Sequence, residues 1–243
     1  MNTLHNFLFN VYPYICLAVF LMGSLARFDR DQYTWKSDSS QLLRARQLRW
    51  GSNLFHFGIL FLLMGHTVGL LTPHFVYEPF ISPAQKQLVA IGAGGIAGAV
   101  CFVGLTMLLH RRIFDPRIRL TSHRTDLAIL VILWVQLVLG LITLPFSLGH
   151  SDGTVMLVLS DWAQRILTFR PDAAGLVALA WPYKVHLVLG MTIFLLFPFS
   201  RLVHVWSGFA SVAFLFRPHQ VVRSRRLNLP EGHNQPRQPG AGV

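Results

Sequence analysis

Apolar residues in this chain gather into long, nearly unbroken runs separated by charged stretches. Five runs stand out, at about 7–26, 54–71, 88–109, 127–146 and 185–206, each near the ~20 residues that cross ~30 Å of hydrocarbon as a helix. Lipid offers no partner to a backbone amide or carbonyl, so each run must be helical. The pattern predicts an all-α membrane protein, a five-transmembrane-helix bundle over residues 1–210. A basic, Pro/Gly-rich tail over 211–243 is too polar to bury a core and is expected to be disordered. Between the fourth and fifth runs, residues 154–169 place Val155, Leu159, Trp162, Ile166 and Phe169 on one face of a helix too polar opposite that face to span. This segment is expected to lie on the outer membrane surface or to act as a connector.

Composition agrees. Of 243 residues, 53% are hydrophobic and 13% charged, too apolar a balance for a soluble domain of this size. The formal net charge of +11 is unevenly placed. Arg27, Arg30, Lys36, Arg44, Arg46 and Arg49 follow the first run, Arg111, Arg112, Arg117, Arg119 and Arg124 follow the third, and Arg217, Arg223, Arg225, Arg226 and Arg237 follow the fifth. The intervening segments hold only Lys86, Arg165, Arg170 and Lys184. Lys and Arg near span ends stay inside, so the N-terminus is expected outside and the C-terminus inside, which for a multi-pass protein of the bacterial inner membrane are the periplasmic and cytoplasmic sides. No Lys or Arg precedes the first run and no small-residue cleavage site follows it, so it reads as a helix and not as a removable signal peptide. The basic inner surface suits anionic headgroups or an acidic protein partner and calls for no nucleic acid. Cys16 and Cys101 lie within runs without CxxC spacing, which argues against a disulfide framework and against zinc or iron–sulfur ligation.

Four histidines fall inside the runs: His56 and His66 in the second, His186 and His204 in the fifth. Ionisable groups at membrane depth are costly and usually face the bundle interior. The second and fifth spans run in opposite directions, so His66 pairs by depth with His186 toward the outside, and His56 with His204 toward the inside. Ten residues separate His56 from His66 and eighteen separate His186 from His204, ~15 Å and ~27 Å along ideal helix axes, so the two helices must tilt. One histidine from each side at two depths is what bis-histidine haem needs, since iron has two axial positions for neutral imidazole. Zinc would need about four ligands at one depth, and a proton relay would call for carboxylates, of which the five runs hold none. Histidines that only join helices by hydrogen bonds remain the alternative.

Other residues bear on this arrangement. The Gly/Ala-rich stretch IGAGGIAGAVCFVG over 91–104 reads as close helix packing or as room for a flat ring. Gly58, Gly65 and Gly190 lie near His56, His66 and His186, where a missing side chain would admit a ring. Pro198 should kink the fifth helix before His204. Arg49, Arg111, Arg112 and Arg201 are candidate partners for haem propionates, and each equally suits the inner-surface charge bias. Lys86, at the outer start of the third span, reads from its position as a snorkelling anchor or a functional cation.

The stretches VYPYICLAVFLMGSLARFDRDQYTWKSDSSQ, SNLFHFGILFLLMGHTVGLLTPH and VHLVLGMTIFLLFPFSRLVHVWS resemble the gamma subunit of membrane-bound respiratory nitrate reductase, a dihaem cytochrome b, over residues 7–210. The resemblance implies two b-type haems, an outer one held by His66 and His186 and an inner one held by His56 and His204. It implies quinol as substrate near the outer haem, with Lys86 beside it. It also implies partners on the cytoplasmic side: an iron–sulfur beta subunit, and a molybdenum-cofactor alpha subunit that reduces nitrate. Electrons passing inward while protons leave outward would store ~2.3 kcal/mol per electron per 100 mV. The tail over 211–243 runs longer than the family's usual end. Rival readings are the cytochrome b subunit of a formate dehydrogenase or hydrogenase, and a haem-free transporter or structural membrane protein.

Overall fold

Polar side chains cap the helices that begin at Thr3, Pro83 and Pro116 around the apolar runs. The computed structural model describes residues 2–31, 45–150 and 152–206. The tail expected at 211–243 lies outside them, as do Lys36 and Arg44. The first span, Thr3–Arg30, joins α1 (Thr3–Asn6), a π-helical turn over Phe7–Val11 and α2 (Tyr12–Asp31). α3 (Ala45–Leu71) and the short α4 (His74–Tyr77) follow. α5 (Pro83–Phe114) opens on a capping box in which Ser82 Oγ accepts from Gln85 N at 3.2 Å and Gln85 Oε1 accepts from Ser82 N at 2.9 Å. It closes at Asp115, whose carboxylate accepts from the Arg117 and Ile118 amides and so caps α6 (Pro116–Thr121). α7 (Arg124–Leu148), α8 (Thr154–Leu167) and α9 (Trp181–Leu196) complete the helices.

Among the described residues five helices are long and apolar enough to cross a membrane: Thr3–Arg30, Arg46–Leu71, Pro83–Phe114, Arg124–Leu148 and Trp181–Phe199. The second begins earlier than the apolar run, because helical backbone continues through Arg46, Arg49 and Trp50, beyond the stretch lipid alone would require. The fifth ends earlier. α9 gives way at Leu196 to 3-10 turns over Phe197–Phe199 and Arg201–Val203, since Pro198 has no amide to donate and its ring crowds the preceding turn. Gly23 of α2 makes room for that ring: a Cβ there would come within 2.8 Å of Pro198 Cγ.

α3 packs on α5, α5 on α7, α7 on α9 and α9 on α2. The α3–α5 contact is the closest. A Cβ on Gly58 would lie 2.8 Å from Cys101 Cα, and one on Gly104 would collide with the Phe55 amide and the Gly51 carbonyl. Packing therefore accounts for Gly58 and for the later part of the 91–104 stretch, whereas Gly92 and Gly94 face no atom within 4 Å. Trp134 Nε1 donates to Thr106 Oγ1 at 3.0 Å between α7 and α5, and the Tyr12 and Thr192 hydroxyls meet at 2.9 Å between α2 and α9. Leu21, Phe57, Leu60, Val89 and Ile96 point outward, where only lipid would make their exposure tolerable.

The segment expected on the membrane surface or as a connector packs its apolar face on the chain itself. Val155, Trp162 and Ile166 of α8 are buried, in a cluster with Phe9, Ala173 and Leu176. Trp162 Nε1 donates to Phe9 O at 2.9 Å, and Gln164 Nε2 donates to Leu70 O at 2.9 Å and Thr72 O at 3.3 Å. Gln87 ties α5 to α7 and α8, donating to Ser147 O and His150 O and accepting from Met156 N. Phe169 does not extend the apolar face: α8 has ended, its φ is 58°, and its ring stacks on Tyr14 at 5.8 Å.

Candidate functional site: two facing histidine pairs

α3 and α9 are not close packing neighbours, since α3 lies on α5 and α9 lies between α7 and α2. Their histidines nevertheless meet across the bundle. His66 faces His186 with ring centres 6.2 Å apart and planes inclined by 33°, and His56 faces His204 with centres also 6.2 Å apart and planes inclined by 74°. The structure thus brings together the pairs inferred from depth.

Every one of these rings has a backbone carbonyl at its Nδ1: Ser52 O for His56, Leu62 O for His66 and Arg201 O for His204, each at 2.7 Å, and Gln136 O for His186 at 3.1 Å. A carbonyl only accepts, so each Nδ1 carries the proton and donates. In the neutral ring Nε2 is then left with its lone pair, the state in which imidazole binds a metal. Metal–imidazole bonds are about 2.0 Å and the ring centre lies roughly 1.1 Å behind the bonded nitrogen, so two rings on opposite sides of one metal have centres about 6.2 Å apart. Donor type, tautomer and spacing therefore fit an iron with two axial imidazoles at each level. Among the described residues no group of three or more His, Cys, Asp or Glu could hold a metal ion, so a closed tetrahedral site finds no support there. Beside His66, Gly65 is exposed and a Cβ there would meet nothing within 4 Å, so nothing on its side of the helix crowds a ligand. Gly190 has a different role, for a Cβ there would come within 3.1 Å of the Gln136 amide nitrogen.

Lys86 lies in the first turn of α5 and does not extend outward as an anchor would. Only 8% of it is exposed, and its Nζ stands 3.7 Å from the centre of the Tyr77 ring, a cation–π contact. Among the described residues Nζ makes no hydrogen bond, and neither does the buried Tyr77 hydroxyl. Burial raises the Tyr77 phenol above its ordinary pKa, aided by nearby Glu78, which keeps it a donor. Two buried donors therefore lie together without an acceptor, an arrangement suited to a ligand oxygen.

At the His204 end, Asp126 Oδ2 accepts from Arg112 at 3.5 Å and from Arg201 at 3.3 Å. These arginines were candidate propionate partners, and the structure joins both to a carboxylate. Asp126 stands just outside the apolar run of α7, which is why that run holds no acid. Inspection of the histidines did not single out Gln136 or Tyr77. The signal for Gln136 was its isolation, a lone amide in LVILWVQLVLGLIT.

Comparison with known proteins agrees with the resemblance in the helices. The profile of the nitrate reductase gamma subunit family matches residues 5–225. Respiratory nitrate reductase 1 gamma chain of Escherichia coli (strain K12) is 49% identical over 226 residues, covering 93% of this chain and 100% of that protein. Respiratory nitrate reductase 2 gamma chain of the same organism is 49% identical over 224 residues, covering 92% and 98%. Nitrate reductase gamma chain of Bacillus subtilis (strain 168) is 37% identical over 219 residues, covering 90% and 97%.

Proposed function

The chain belongs to the nitrate reductase gamma subunit family, and on that premise we propose that it is the quinol-oxidising, dihaem cytochrome b subunit of a respiratory nitrate reductase. It is a multi-pass membrane protein and associates with other subunits of that oxidoreductase. In the proposed assembly the partners are an iron–sulfur beta subunit and a molybdenum-cofactor alpha subunit on the cytoplasmic side, with the N-terminus of this chain periplasmic. The observation that carries the reading is the pair of 6.2 Å imidazole pairs with every Nδ1 donated to a carbonyl.

His66 and His186 would hold one b haem and His56 and His204 the other. When bound, these groups supply one-electron carriers at two depths. The protein's own residues do the rest. The carbonyls at Nδ1 keep each ring in one tautomer and one orientation. Lys86, raised on the Tyr77 ring, would donate a charge-assisted hydrogen bond to a quinol oxygen and hold the ring where its protons leave outward. The lid formed by α8, stapled through Gln87 and Gln164, keeps that end of the bundle closed. The relatives' names favour nitrate reductase over a formate dehydrogenase or hydrogenase complex. A reduced-minus-oxidised optical spectrum with haem counted against protein tests the reading: two b haems per chain are expected, and a well-folded, haem-supplied chain without haem overturns it.

A further inference from the structure

Three of the four imidazoles bond a carbonyl one turn back along their own chain: Ser52 for His56, Leu62 for His66 and Arg201 for His204. His186 does not. Its Nδ1 donates to Gln136 O on α7, fifty residues away, at 3.1 Å. Gln136 also reaches back: its Nε2 donates to the His186 carbonyl at 3.1 Å and stands 3.4 Å from the ring Nε2. The surrounding backbone is shaped for this contact. One turn further along α7, a Cβ on Gly140 would stand 3.0 Å from His186 Cε1, so glycine lets the ring lie against the helix and a methyl there would push it. On α9, Gly190 leaves the space that the Gln136 amide fills. A buried amide in an apolar helix is costly unless it is bonded. The oxygen of this one has no hydrogen-bond partner among the described residues, so the amide is held there by its grip on His186.

We propose that Gln136 and Gly140, on a helix that contributes no imidazole of its own, are positioning residues that aim His186 and thereby tune the His66/His186 haem alone. This rests on the dihaem reading above. The physical basis is that hydrogen bonds to a metal-bound imidazole fix its direction and basicity, and that losing such a partner typically weakens the site 10–100-fold. The other haem is outside their reach, because His56 and His204 take their bonds from local carbonyls.

The test uses the full chain purified with its partner subunits. Gln136→Met keeps the length and the backbone carbonyl but removes the amide. Gly140→Ala adds one methyl against the ring and removes no hydrogen bond, so it decides the matter if Gln136→Met does not fold. Haem content, redox titration and low-temperature electron paramagnetic resonance are read for each haem, and the signal missing from His66→Ala identifies the one concerned. In both variants that signal should shift in potential and line position, because the ring is re-aimed while its Nδ1 partner stays, with the other haem unmoved. An unaltered His66/His186 signal in a two-haem protein, or an equal shift of both signals, overturns the proposal and leaves the dihaem reading intact. A wild-type chain without haem removes that reading, and the proposal with it.

Discussion

The His66 end and the His204 end of the bundle both aim an imidazole from α9 or its extension toward α3, and they do so by different means. At the His66 end both rings sit on unbroken α-helix, and the second is gripped from the side by α7. At the His204 end the chain has left the α-helix for two 3-10 turns, and charge restrains it. Arg27 donates to the Pro198 and Ser200 carbonyls at 2.7 and 3.0 Å, while Arg201 is tied to Asp126. The ring planes differ accordingly, 33° against 74°. Intact helix satisfies its own carbonyls and needs only a lateral contact to aim a ring. A proline break strands carbonyls that lipid cannot satisfy, so a cation, Arg27, must come to them, while the Asp126 carboxylate holds Arg201 beside them.

The largest test of this contrast removes one ring at a time. His186→Ala should abolish one haem signal and His204→Ala the other, read as one haem per chain in each; two normal signals in either variant would count against the pairing. Next, Asp126→Asn removes the carboxylate charge that faces two mostly buried arginines, a loss of about 3 kcal/mol, the low end for a buried pair. A lowered thermal midpoint with disturbance confined to the His56/His204 signal is expected, and equal disturbance at both ends would break the comparison. Lys86→Ala would remove the charge-assisted hydrogen bond proposed to the quinol oxygen, worth about 1.5–3 kcal/mol. Quinol oxidation should slow by roughly 10–100-fold with both haems bound, and unchanged kinetics would sink the assigned role.

The smallest effect concerns the lid. Asp152 Oδ1 accepts from Thr154 Oγ1 at 2.7 Å and from Thr154 N at 3.1 Å, bonds that hold this carboxyl below the usual carboxylate range. A carboxyl lowered by folding contributes stability above its unfolded pKa of about 3.9 and loses it as pH falls through the lower folded value. The native protein should therefore outlast Asp152→Asn slightly at pH 7, with the difference in thermal midpoint shrinking as pH falls below the unfolded value of about 3.9. An equal difference above and below that value would show that the carboxylate charge plays no part.

Particular residues show how far sequence reading reached. The five spans were legible because lipid demands about twenty apolar residues of any helix that crosses it. Their ends were less so: Arg46 and Arg49 continue α3 past the apolar run, and α9 stops at Leu196 although the run continues. The histidine pairs were legible from depth and direction alone. Lys86 was visible, but its seat on Tyr77 was not, because nothing in the intervening residues dictates how α4 folds back over the start of α5. The face of 154–169 was legible through Ile166, while what it covers stayed open, since an amphipathic pattern specifies an apolar neighbour without saying whether lipid or protein supplies it.

By itself the sequence determined the number of spanning helices, the depths of the four imidazoles and the break at Pro198, all properties of one helix against a uniform slab of hydrocarbon. Only the tertiary structure decided which faces meet. α7 is apolar almost all round, so its run does not reveal that Gln136 and Gly140 turn toward His186, and the fifty residues between Gln136 and His186 carry no local signal of their bond. Depth is set by position along one helix. Azimuth is set by packing among several, through close-range contacts that exist only once the helices stand together.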